Sequence, residues 1–239
     1  MKLGIMQPYF LPYIGYWQLL NAVDRYVIYD DVNFIKGGWI NRNRILQNGV
    51  PAYINVPMIG ASSFKRINEI QVNRDPRVMG KLLKTVEQNY RKAPSFESAM
   101  PLMEAICRFE GDNLAEFLAN SIREVCDYLG ITTTLVMSSQ IEKDTSLRAQ
   151  DKVIDICRRQ GATEYFNAIG GQALYDQATF SRFGIHLLFL KTENVTYSQG
   201  KEVFFPNLSM LDVLMFNPRS TVIEMLHQFK LIDENLNNI

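Results

Sequence analysis

Histidine is nearly missing from this chain. There are two in 239 residues, His186 on an apolar run that reads as a buried strand and His227 on the polar side of the last helix. No Ser-His-Asp or Cys-His arrangement and no zinc site can be drawn from them. Cysteine is also scarce. Cys107, Cys126 and Cys157 lie far apart, at no metal-ligand spacing, each on an apolar helical position. They read as buried reduced thiols. No GxGxxG follows the first apolar run, and no Walker A sequence occurs. No apolar run approaches the ~18 residues that would span a membrane. Met-Lys-Leu-Gly leads into a strand without the regions of a secretory leader, so a cytoplasmic protein is expected. Neither sign of charge is in excess, with 25 Lys and Arg against 25 Asp and Glu. Broad attraction to nucleic acid or an anionic membrane is therefore not expected, while a local basic site stays open.

What remains is an ordinary globular composition, 47% hydrophobic and 21% charged. A chain of this length buries roughly 70% of its unfolded surface, so it needs neither disulfide nor metal to fold.

Along the chain, Leu3 to Met6 reads as a buried strand, Tyr13 to Val23 as a helix and Tyr26 to Tyr29 as a parallel strand, a βαβ unit. The segment from Asp30 to Asn48 is polar and reads as a loop. Val50 to Pro57 and Ile67 to Val72 read as a strand pair with a turn at Gly60 to Ser63. Asp75-Pro76 starts a helix that Pro94 stops. A second helix covers Pro101 to Phe109, and a third is capped by Asp112 and ended by Gly130. Strand and helix then alternate: Thr133 to Met137, Leu147 to Gln160, Thr163 to Asn167, Gln172 to Phe183 and His186 to Leu190. A last helix runs from Ser220 to Lys230. The pattern predicts an α/β fold with an open, mostly parallel, Rossmann-like sheet. The α/β core falls at about 1–74 and 131–195, a helical insert at about 75–130 and a tail at 196–239, as a single domain.

Ligands of such sheets bind at the carboxyl ends of strands. After the first strand comes "QPYFLPYIGY", with Gln7, Tyr9, Tyr13 and Tyr16: stiff prolines, stacking rings and hydroxyls, and Gly15 for close approach. After the second come Asp30, Asp31, Lys36, Trp39, Asn41, Arg42 and Asn43, with "WINRNRI" supplying donors for an anionic or sugar-like ligand. Ser138 and Ser139, then Gly170 and Gly171, then Tyr197 and Gln199 follow later strands. Each has an architectural reading too. The aromatic residues can lid the core, the aspartates can cap a turn, the serines can cap a helix, the glycines can form a plain turn, and the arginine segment can be a solvated loop. Catalysis, lacking a histidine, falls to carboxylate, tyrosine, lysine or arginine. Asp31, Lys36 and Tyr13 are the candidates, with no metal expected and no cofactor identified.

"IMQPYFLPYIGYWQLLNAVDRYVIYDDVNFIKGGWINRNRI" resembles the signature of the WbqC-like family. The resemblance continues through "NYRKAPSF", "LGITTTLVMSSQI", "YFNAIGGQALYD" and "TYSQGKEVFFPNLSMLDVLMFN". It covers nearly the whole chain and departs where Pro218-Arg219 replaces a glycine after "FN". It carries over Gln7, Pro8, Tyr9, Pro12, Gly15 and Tyr16, the group from Asp30 to Asn43 named above, Ser138 and Ser139. In the tail it carries over Tyr197, Gln199, Phe205, Leu208, Ser209 and Asp212. The resemblance implies a bacterial protein of surface polysaccharide (O-antigen) biosynthesis. "YIGY" also occupies the place of HxGH in the HxGH-type nucleotidyltransferases, with both histidines replaced by Tyr13 and Tyr16. The expectation is a transferase acting on a nucleotide-linked sugar or activated acyl donor. A nucleotidyltransferase or a non-catalytic binding protein are the rival classes, and a homodimer is left open.

Overall fold

The computed structural model describes residues 1–233. The last six positions of the tail assigned to 196–239 lie outside the described residues. Strand β1 (Lys2–Met6) leads through the tyrosine-rich turn into α1 (Ile14–Asn21) and β2 (Arg25–Ile28). β1 and β2 pair in parallel, Leu3 opposite Arg25 and Met6 opposite Ile28. Helix α1 is enclosed on every side from Ile14 to Leu20, and its buried polar residue, Gln18, donates to Met225 O at 2.8 Å. Trp17, Leu19 and Leu20 are fully buried, and the Trp17 indole donates to Pro12 O at 3.0 Å. Truncating such a tryptophan costs about 3–5 kcal/mol.

The polar segment after β2 is not a loop throughout. Arg42–Gln47 forms β3 and pairs antiparallel with β4 (Val50–Asn55). Asn48 and Gly49 join them at φ +52° and +81°, the positive angles of a tight two-residue hairpin turn. The expected pairing of 50–57 with 67–72 does not form: β4 is taken by β3, and Gln71–Val72 (β6) pairs instead with β5 (Met58–Ile59). Three helices follow: α2 (Pro76–Tyr90), α3 (Phe96–Arg108) and α4 (Leu114–Leu129). Asn113 rather than Asp112 caps α4, accepting from Ala115 N and Glu116 N. Helix α3 begins five residues earlier than its proline suggests and carries Pro101 inside.

Strand β7 (Thr134–Met137), helix α5 (Ala149–Arg159), strand β8 (Glu164–Ala168), helix α6 (Gln177–Arg182) and strand β9 (His186–Thr192) complete the alternation. His186 sits on β9, but its side chain is exposed and meets Asp233 at 2.7 Å. The tail adds α7 (Met210–Phe216), absent from the sequence reading, and α8 (Arg219–Met225). The final helix stops there. Phe229, expected on its apolar face, instead opens β10 (Phe229–Ile232), antiparallel to β9.

The main sheet has the order β10-β9-β8-β1-β2-β7, with every pair parallel except β10 with β9. This is an open Rossmann-like α/β fold. The chain moves outward from β1 through β2 to β7, then returns to the other side of β1 for β8 and β9. Strand order thus reverses between β1 and β8, where a crevice opens at the carboxyl ends.

Candidate functional site

The turn after β1 is held by its own carbonyls. Asn43 Nδ2 donates to Phe10 O at 3.1 Å and Leu11 O at 2.9 Å. Ser209 Oγ donates to Leu11 O at 2.8 Å, and Met210 N to Pro12 O at 2.9 Å. Leu11 takes φ +43°, a costly conformation for a branched side chain. It persists because strand β3 and the tail pin it from two sides. Gly15 is needed where it stands: a Cβ there would lie 2.5 Å from Thr192 Oγ1 and 2.5 Å from the Tyr13 ring. Tyr16 is buried and donates to Gln7 O at 3.1 Å, while Gln7 Oε1 accepts from Tyr9 at 3.3 Å. The rigid, polar-tipped turn therefore orders itself first and presents Tyr9 and Tyr13 second.

Those two tyrosines line a cavity of about 500 Å³ at the β1–β8 reversal. Ile169 closes it from the end of β8, and Lys191 and Thr192 from the end of β9. Trp39, Asn43 and Arg44 approach from the hairpin. Both charged lining residues, Arg44 and Lys191, are cations, and neither has an ion-pair partner among the described residues. Arg44 Nε is buried without a hydrogen bond, and its guanidinium lies 5.7 Å from the Trp39 ring centre. Trp39 is 41% exposed, and its ring also meets the Tyr53 ring at 6.1 Å. Burial raises the Tyr9 and Tyr13 hydroxyl pKa values above their ordinary level, so both act as donors rather than bases.

Asp30 and Asp31 stand elsewhere. Asp31, expected beside Lys36 or Arg42, is instead enclosed by α5 and the loop before it. Lys143 Nζ lies 2.9 Å and Lys152 Nζ 3.6 Å from Asp31 Oδ2, and all three side chains are nearly buried. Burial alone would raise the Asp31 carboxyl. The hydrogen bond from Lys143 and the field of Lys152 outweigh it and hold the pKa below the usual carboxylate range. Asp30 is 1% exposed. It accepts from Ser139 N at 2.9 Å and Asn68 Nδ2 at 3.3 Å, and it lines a second cavity of about 470 Å³.

A sequence comparison can now be set beside this geometry. The model of the WbqC-like protein family matches residues 7–224. The chain belongs to the WbqC-like protein family. It is also similar to the uncharacterized protein Rv1507c of Mycobacterium tuberculosis (strain ATCC 25618 / H37Rv), with 29% identity over 219 residues, covering 90% of this chain and 93% of that one. No solved structure matches.

In this family member the residues expected to serve one ligand are dispersed. Tyr9, Tyr13, Trp39 and Asn43 meet at the first cavity. Asp30 and Ser139 belong to the second, and Tyr197 to a third beside the tail. Lys36 is exposed and lines none of these. Arg42 is occupied by Gly38 O, at 3.0 Å, and Gly37 O, and caps the Tyr53 ring at 4.3 Å. Asn41 contacts Val56 O at 3.4 Å. Ser138 gives its carbonyl to Lys143. Gly170 and Gly171 do not open a helix. They lie in a 3-10 turn, Gly171 tight against Asn167, and α6 starts later behind Asp176. Ser209, Gln199 and Asp212 are buried and bonded within the protein: Asp212 accepts from Tyr90 at 2.6 Å, Tyr197 at 2.7 Å and Gln199 at 3.1 Å. Arg44, Lys191 and Asn207 were missed as lining residues. Arg44 was visible in "WINRNRI". Once 42–47 is a strand, alternation puts it on the face of Trp39 and Tyr53.

Proposed function

We propose that the cavity at the β1–β8 reversal binds an anionic small molecule, and that the protein is a transferase-type enzyme of bacterial surface polysaccharide biosynthesis. Its donor would be a nucleotide-linked sugar or an activated acyl group, used in the cytoplasm where such donors are made. The observation that carries this reading is the pair of cations, Arg44 and Lys191, without an ion pair among the described residues and beside the partly exposed Trp39. A phosphate or carboxylate would meet charge-assisted donors, and a base or sugar ring would meet the indole. Family membership supports the pathway. Among the described residues the lining holds no histidine or carboxylate, so the ligand would have to arrive already activated. Tyr9 and Tyr13 would donate to charge developing on it.

That same lack of a proton acceptor favours a second reading, a non-catalytic binder of the same class of ligand. Calorimetric titration with nucleotide-diphosphate sugars and acetyl-coenzyme A, with inorganic phosphate as control, tests both. A bound donor at ~100 times its Kd adds about 2.7 kcal/mol to stability. Arg44→Ala should weaken binding at least tenfold with an unchanged melting temperature. Unchanged affinity in that variant would end the proposal for this cavity. Turnover of a labelled donor separates enzyme from binder.

A further inference from the structure

The second cavity lies away from the strand reversal, at the carboxyl ends of β2 and β7 beneath α4, and shares no lining residue with the first. Two of its charged groups have no ion pair among the described residues. Asp30 is buried, yet its hydrogen-bond donors are an amide N–H of Ser139 and the side-chain amide of Asn68, both neutral. A carboxylate offers about four acceptor positions, so roughly two are unused. A buried charge without a cationic partner is costly. The nearby lysines do not relieve it, because Lys143 and Lys152 are both turned onto Asp31. The other group is Arg123 on α4, an exposed guanidinium with no ion pair among the described residues.

These groups mark opposite ends of the space. Asn68 donates to Asp30, and Asn113 Nδ2 donates to Asn68 O at 2.7 Å, which ties Asp30 to the start of α4. Glu116 stands on the first turn there. Ala119 and Arg123 follow at the third and seventh positions, so all three line the same wall of the cavity. Seven residues of helix advance about 10 Å. The acidic end is therefore Asp30 with Glu116, and the basic end is Arg123, two turns away. Ala119, buried and small, leaves the wall between them open. The helix terminus itself is not the attraction. Leu114 N, Ala115 N and Glu116 N already bond to Ile70 O and Asn113 Oδ1.

We propose that this cavity is a second ligand site, for a small zwitterion of the amino-acid class, its ammonium toward Asp30 and Glu116 and its carboxylate on Arg123. Such a molecule supplies donors to the buried carboxylate and an acceptor to the guanidinium at once.

The test is ligand-observed NMR and calorimetry on the full chain with glycine, γ-aminobutyrate, glutamate and lysine, and with glucose and inorganic phosphate as controls. At least one amino acid should bind saturably, and its methyl ester should bind at least tenfold more weakly. Arg123→Ala should lower affinity at least tenfold, and Ala119→Leu, which fills the wall, should abolish it. Arg44→Ala should leave it unchanged, which separates failure here from failure at the first cavity. Arg123 is exposed, so that variant stays informative even if the buried Ala119 substitution fails to fold. Absence of binding by every amino acid, binding indifferent to Arg123→Ala, or equal binding by glucose or phosphate would overturn the proposal.

Discussion

Asp30 and Asp31 are consecutive, yet their carboxylates serve different elements: Asp30 accepts from Ser139 N of the turn after β7, and Asp31 meets Lys143 and Lys152 before and within α5. Extended backbone sends neighbours to opposite sides. Asp31→Asn would strand two ammoniums on one neutral amide. A loss of about 3–5 kcal/mol is expected, as for breaking a buried pair. Its pH dependence follows from the lowered pKa. The stabilisation is complete above the unfolded value of about 3.9 and disappears as pH falls through the native value. Urea denaturation should show a large gap between wild type and variant at pH 7 that narrows below pH 4.

Asp212 predicts the opposite slope. Burial raises its carboxyl above the ordinary value despite the donors Tyr90, Tyr197 and Gln199. A raised carboxyl pKa favours the native state most below the unfolded value and gives up that advantage as pH rises through the native one. Wild type should therefore gain on Asp212→Asn as the pH is lowered from 8 toward the unfolded value of about 3.9. Melting temperatures of both proteins across that range check the sign.

Arg42 and Arg44 should behave differently although they share a strand face. Arg42→Ala removes donors to Gly37 and Gly38 and the cap on Tyr53, and should cost about 1 kcal/mol while leaving ligand affinity intact. Proteolysis within residues 35–39 should quicken in that variant. An affinity loss matching that of Arg44→Ala would contradict this division of roles.

The parallel strands were legible because short continuous apolar runs such as "YVIY" and "HLLFL" suit strands covered on both faces. The hairpin was signalled by Asn48-Gly49, yet Arg42, Asn43 and Arg44 read as a polar loop because this short sheet faces a cavity and carries polar residues on a strand. Helix α7 escaped notice because Met210 to Met215 are all buried, leaving no polar face to set a period. The position of Phe229 fits a helical stripe with Val222 and Leu226, but pairing with β9 overrides it. The two cavities draw lining from segments more than a hundred residues apart, and single-sequence spacing does not report which strand ends become neighbours.

Gly15→Ala tests the close approach inferred for the first turn. The added methyl would press on Thr192 and Tyr13, and overpacking of this kind costs about 1–3 kcal/mol. Thr192→Ala combined with it should restore part of the loss, because one of the two obstructions is gone. Denaturation midpoints of the single and double variants measure the recovery.

Ser209 also sets a timetable. Its hydroxyl reaches Leu11, 198 residues away, and its amide bonds Arg44 O at 2.8 Å. The turn that carries Tyr9 and Tyr13 is translated well before Ser209, and its Leu11 carbonyl cannot receive that hydroxyl until residue 209 has followed. A growing chain thus carries the cavity wall unpinned on one side for about two hundred residues of synthesis.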